Sequence, residues 1–153
     1  MVTIKSLANE PIEIDADSFE FINLDNLDMH RALLAEENLT GASFVGTILR
    51  NAHLDGAMMK GADLTNARAM LASFEGAILQ SAKLVHCQLN FANLKDADLT
   101  GADLTGADVW KADFTGAKLY GAVMLCSRIE EAKLSEAMYD ETTIWPQGFR
   151  PAY

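Results

Sequence analysis

The sequence predicts an all-β chain wound into a parallel solenoid with four short sides to each coil. Three observations predict it. From Phe19 to Ile144 every fifth residue is apolar, 26 positions in one register: 14 Leu, 4 Phe, 3 Met, 2 Ile and one each of Val, Ala and Tyr. Half the chain is apolar, so chance gives such a run with odds of about 10⁻⁸. Ala fills 18 of the 26 positions two residues earlier, and nine of the ten Gly stand two residues later. Pro11, Pro146 and Pro151 flank the array and none interrupts it, as a backbone that uses its N–H groups in ladders requires.

A period of five fits neither ordinary element. On a helix five residues advance about 500°, which scatters the leucines around the cylinder. In a straight strand an odd period sends them to alternate faces. The pattern works if the chain is locally extended and turns after every pentad. The Leu position and the Ala two before it then point inward, and the residue between them points outward. Gly at the third turn residue is what a type II turn requires. Asn51 and Asn66 are the expected substitutes there, and the pentads ending at Ser81, His86, Phe91 and Asp96 are expected to use another turn type. Four turns close a coil of 20 residues, so 26 unbroken pentads make about 6.5 coils, stacked over about 31 Å.

In chain order, residues 1–16 are read as an amino-terminal cap, with Ile12 and Ile14 already in register. Residues 17–146 are the solenoid, and residues 147–153 a carboxy-terminal tail and cap. A parallel coil needs both ends covered. Trp145 and Phe149 are the expected lids at one end, and Phe19, Ile22 and Leu27 enlarge the inner layer at the other. Residues 20 apart stack into core columns. One runs Leu64-Leu84-Leu104-Met124-Ile144, a second holds Leu99 and Leu119, and a third holds Phe74, Leu94 and Phe114. Ala69 leaves a gap in its own column, which Phe74, one pentad on, is placed to fill.

The repeated A(D/N)LXX unit is clearest in Ala97-Asp98-Leu99-Thr100-Gly101 and Ala102-Asp103-Leu104-Thr105-Gly106. It resembles the pentapeptide-repeat family over about residues 17–146. The resemblance implies a right-handed quadrilateral β-helix and no enzyme activity. The best understood members of that family are DNA mimics that bind and inhibit DNA gyrase or protect it from quinolones.

Charge narrows the partners. The chain carries 22 acidic and 12 basic residues, a formal −10, which argues against direct nucleic-acid binding through a basic face. Residues 1–41 hold −7 of it, 42–126 only −1 and 127–153 the remaining −2. Outward Asp98, Asp108 and Asp113 are expected to face Lys118, Arg128 and Lys133 on the next coil as surface ion pairs. Mean hydropathy is near zero (+0.05) with no long apolar run, so no membrane span is expected. The first residues lack the pattern of a signal peptide. Two cysteines cannot build a disulfide framework, which points to a reducing cytoplasm. Cys87 takes an inward Ala position, and Cys126 is read as an outward turn residue, so both are expected to be free thiols.

Catalytic and metal constellations are sought and not found. His30, His53 and His86 have no ligand spacing, and no Cys-x-x-Cys, phosphate loop or nucleophile elbow occurs. The expectation is therefore no catalytic residue, no metal and no cofactor. One exterior feature stands apart: Met70, Leu71, Phe91 and Trp110 fall on one face within three successive coils, with Asn90 and Lys111 among them. Either they form an apolar binding patch, or they pack on one another along the ladder. The function these features point to is a binding or scaffold module whose partner is another protein. The alternatives are gyrase binding by DNA mimicry and self-association through the ends.

Overall fold

The computed structural model describes residues 1–152; Tyr153, the last residue of the expected tail, lies outside them. Parallel bridges join residues 20 apart, from Asn23 with Ser43 through to Lys118 with Met138, interrupted once. The chain is thus a β-helix-type coil. Among the described residues the only helical element is a single 3-10 turn, Ile129–Glu131, and no helix is long and apolar enough to cross a membrane.

The pentad around Leu64 shows how each unit is satisfied. Leu64 N donates to Lys83 O at 2.7 Å, Asn66 N to Val85 O at 2.9 Å, and Lys83 N back to Ala62 O at 2.9 Å, so three donors lock adjacent coils. Ala67 N closes the turn on Leu64 O at 3.0 Å. The fifth donor, Thr65 N, goes to Oδ1 of Asp63 at 3.0 Å. The same capping recurs at Asp98, Asp103, Asp108 and Asp113. Asp or Asn between the two inward positions therefore satisfies the one N–H that the ladders leave over, in an Asx turn. The sequence reading of these acids as surface charge pairs misses this role. The pairs form as well, with Lys118 3.9 Å from Asp98 and Lys133 3.4 Å from Asp113.

The turn reading needs one correction. Every corner residue from Phe21 to Gly121 has φ between 53° and 69°, glycine or not. Ser81, His86, Phe91 and Asp96, expected in a different turn, share the positive corner φ of the glycine pentads. They adopt the left-handed conformation that glycine takes elsewhere, because the interlocking ladder fixes the corner whatever residue stands there.

Inside, Leu64, Phe74, Leu84, Leu94, Leu99, Leu104, Phe114 and Leu119 are fully buried, as is Ala69. The register is not unbroken. Asp108 pairs with Ser127, 19 residues on, and Val123 with Ile144, 21 residues on. The first slip corrects Cys126. With the corner at 125 one residue short, its side chain turns inward to 7% exposure, and its thiol donates to Met124 O at 3.2 Å. The 3-10 turn then restores the register, with Ile129 buried. The second slip corrects Ile144. An extra residue in the preceding turn puts Thr143 inside, its Oγ1 donating to Leu119 O at 2.9 Å, and leaves Ile144 50% exposed.

The amino end also differs from its reading. Strand β1 (Val2–Ser6) pairs antiparallel with β2 (Ile12–Ile14), Val2 opposite Ile14 and Ile4 opposite Ile12. It pairs on its other edge with β3 (Ala32–Leu33), also antiparallel. Ile12 and Ile14 alternate with a period of two and belong to a hairpin, not to the pentad register. At the other end, Trp145 packs edge-on to Tyr139 at 5.4 Å and against Phe149 at 5.5 Å. Both Trp145 and Phe149 are partly buried against the core.

Candidate functional site

The face built on Met29, Leu49, Ala69, Leu89 and Val109 is set apart by its corner. Its left-handed residues are Arg31, Asn51, Leu71, Phe91 and Lys111, with φ of 53–59° and no glycine among them. Each of the other three corners holds at least two glycines along the rod. A side chain in this conformation costs roughly 1–2 kcal/mol relative to the ordinary basins, so five in succession keep their side chains against a local penalty. The ladder stacks them one per coil: Leu71 N donates to Asn90 O at 3.0 Å and Phe91 N to Trp110 O at 2.9 Å.

The four residues singled out from the sequence come together. Met70, Leu71, Phe91 and Trp110 line one shallow cleft, with Arg50 and Arg128 at its two ends. Phe91 and Trp110 meet edge to face at 4.8 Å. The Lys111 ammonium lies 4.8 Å from the Trp110 ring and 5.7 Å from that of Phe91, and the Arg128 guanidinium stands 5.1 Å over Trp110. The aromatic pair is thus mutually packed, while Leu71 and Phe91 remain 46% and 44% exposed. A neighbouring depression shares Arg50 and Leu71 and is lined further by His30, Arg31, His53 and Ser73.

The arginines Arg31, Arg50 and Arg68 are what the sequence reading did not single out. The five pentads of this face carry Arg31, Arg50, Arg68 and Lys111 against Asp28 and Asp108, a net +2 that leaves −12 for the remainder. Among the described residues Arg31, Arg50, Arg68 and Lys111 form no ion pair, whereas Arg128 is forked onto Asp108. Desolvation pushes the Asp108 carboxyl up, but hydrogen bonds from Arg128, Asn90 and the Trp110 N–H outweigh it and hold the group below the usual carboxylate range.

Among the described residues no group of three His, Cys, Asp or Glu is placed to hold a metal ion. Cys87 and Cys126 are free, and burial pushes both thiols up to about 12.

No curated protein matches the chain. Among solved structures, it is 29% identical to HetL, a pentapeptide repeat protein involved in heterocyst differentiation regulation from the cyanobacterium Nostoc, with a TM-score of 0.53 over 76% of this chain and 64% of HetL. The chain thus spans less than two thirds of HetL. It is 28% identical to a pentapeptide repeat protein of the Arabidopsis thaliana thylakoid lumen (TM-score 0.34, covering 68% of this chain and 62% of that one). Identity to QnrB1, a plasmid-mediated fluoroquinolone resistance protein, is 15% (TM-score 0.49, 84% and 86%). A family model for pentapeptide repeats matches eight copies, over residues 38–68, 72–110 and 97–136. The matched segments fall on the coils whose ladders and corners are described above, and the chain belongs to the pentapeptide-repeat family.

Proposed function

We propose that the chain is a non-enzymatic binding module: a right-handed rod of about six and a half coils that docks another protein on the face of Met70, Leu71, Phe91 and Trp110. The observation that carries this reading is the glycine-free corner, where Leu71 and Phe91 hold large apolar side chains in a backbone conformation that favours glycine. Local strain of this kind persists where the side chain has a use. The hairpin of residues 1–16 and the pair Trp145 and Phe149 serve as end caps of the solenoid spanning 17–146. Two buried thiols suit a reducing cytoplasm.

A pull-down from the native host tests the reading, comparing the wild type with Trp110→Ala and with Tyr120→Ala on another face. The reading expects partner capture to be lost for Trp110→Ala alone while its melting curve stays in place. A lowered melting temperature with capture retained makes Trp110 a packing residue and refutes it. The −7 carried by residues 1–41 supports a second reading, gyrase or topoisomerase binding by DNA mimicry. The near-neutral body argues against it, since duplex DNA presents about one charge per 1.7 Å. Supercoiling by gyrase that is unchanged at high micromolar protein excludes mimicry.

A further inference from the structure

We infer that this face takes an extended acidic peptide segment with one large apolar side chain, the apolar group seated on Leu71, Phe91 and Trp110 and the carboxylates on Arg50 and Arg31. The inference rests on the reading that the face binds a protein, and it names the chemistry of what binds. A chain of −10 has two arginines without an ion pair, Arg31 and Arg50, beside its apolar cleft, and Arg50 lines both the cleft and the adjoining depression. Arginine forks match carboxylates in two-point contacts. Burying such a cation under an uncharged partner costs free energy, whereas an acidic partner neutralises it.

The dimensions set the length of the occupant. From His30 to Trp110 the face crosses four coil steps, about 19 Å, which an extended strand covers in about six residues. A short acidic segment keeps its charge on the +2 face. A long polyanion such as single-stranded nucleic acid would run onto the remaining −12 and be repelled.

Binding of a fluorescein-labelled Glu-Asp-Glu-Phe-Glu-Asp-Glu peptide to the full chain tests this, followed by anisotropy. The expected result is saturable binding that weakens at least tenfold with Arg50→Glu, with Phe replaced by Gly in the peptide, or with a rise in salt, and does not change with Tyr120→Ala. A peptide with Lys for every acid should not bind. Arg50→Gln, which removes charge without reversing it, should fall between wild type and Arg50→Glu, and melting curves of both variants should match the wild type. Equal binding of the Lys peptide, or indifference to Arg50→Glu, overturns the inference. So does tighter binding of a thymidine oligonucleotide to this face, or self-association through it that Arg50→Glu abolishes. No binding of the acidic peptide, with the pulled-down partner still lost in Trp110→Ala, overturns the acidic partner and leaves the docking face standing. Capture unaffected by Trp110→Ala overturns both.

Discussion

Replacing Leu71 by Gly separates the outer corner from the fold. Leu71 sits at φ 59°, so Gly relieves about 1–2 kcal/mol of backbone strain. Against that, Gly loosens the unfolded chain by about 0.4–1 kcal/mol. The side chain is 46% exposed, so deleting it forfeits about half of a full Leu burial, about 1 kcal/mol. The terms nearly cancel, and Leu71→Gly should move stability by no more than about 1 kcal/mol, whereas Leu64→Ala in the shaft should cost about 3–4 kcal/mol. The reciprocal change, Gly61→Leu, has no atom within 4 Å of its new Cβ and a φ of +67°. It should cost about 1 kcal/mol, strain less the unfolded-state gain. Urea unfolding followed by circular dichroism and tryptophan fluorescence measures all three. A loss above about 2 kcal/mol for Leu71→Gly would make the side chain a structural element and refute the reasoning. A stabilising Gly61→Leu would refute its strain term.

Four further outcomes follow from the geometry. Asp103→Ala removes the acceptor of both the Thr105 N–H and its hydroxyl and should cost about 1–2 kcal/mol in urea unfolding, with Asp103→Asn costing less. Asp98, Asp108 and Asp113 each sit below the ordinary 3.8: desolvation opposes the shift, but hydrogen bonds and facing cations outweigh it. The unfolded chain therefore takes up protons first, so this stability is present above pH 3.8 and is lost as pH falls through the lower folded values. Changing all three to Asn should flatten the acid limb of a pH-dependent melt. Ala69→Leu should destabilise by about 1–3 kcal/mol through overpacking, and a raised melting temperature would show an open gap beside Phe74. With both thiols buried and raised to about 12, an aromatic disulfide reagent at pH 8 should label neither until the protein unfolds.

The fold was legible because a solenoid writes one physical requirement 26 times, and the repetition averages out local exceptions. Two kinds of detail were not legible. The slips at Ser127 and Ile144 leave the count of apolar residues unchanged: Cys126 turns inward and Thr143 replaces Ile144 through turns of 19 and 21 residues, which the five-residue tally cannot see. The hairpin of β1 and β2 carries its own two-residue alternation, Val2 and Ile4 against Ile12 and Ile14, and reading it as pentads mistook its period. The candidate face was legible in its apolar half, because Met70, Leu71, Phe91 and Trp110 break the outward pattern by hydrophobicity. Its cationic half went unread because Arg31 and Arg50 sit at different pentad positions and meet only where the coil brings them to one depression.

Repetition also says where recognition has to lie. The two inward positions are held by packing, the Asp or Asn position by the leftover N–H, and the corner by a left-handed backbone that favours glycine. Only departures from these requirements carry information beyond the fold. Scattered departures, such as Phe21 over Gly41 or His86 over Gly106, let a large corner side chain rest above the bare glycine of the next coil and relieve crowding. Along Arg31, Asn51, Leu71, Phe91 and Lys111 no glycine offers that relief, and the Lys111 ammonium lies 5.7 Å from the Phe91 ring. Of the twelve non-glycine corners between Phe21 and Gly121, seven are spread over the other three lines among glycines, and five fill this one line without interruption. The proposed docking face rests on that coincidence of strain, apolar exposure and unpaired positive charge, and the loss of capture in Trp110→Ala is what would separate it from an accident of the repeat.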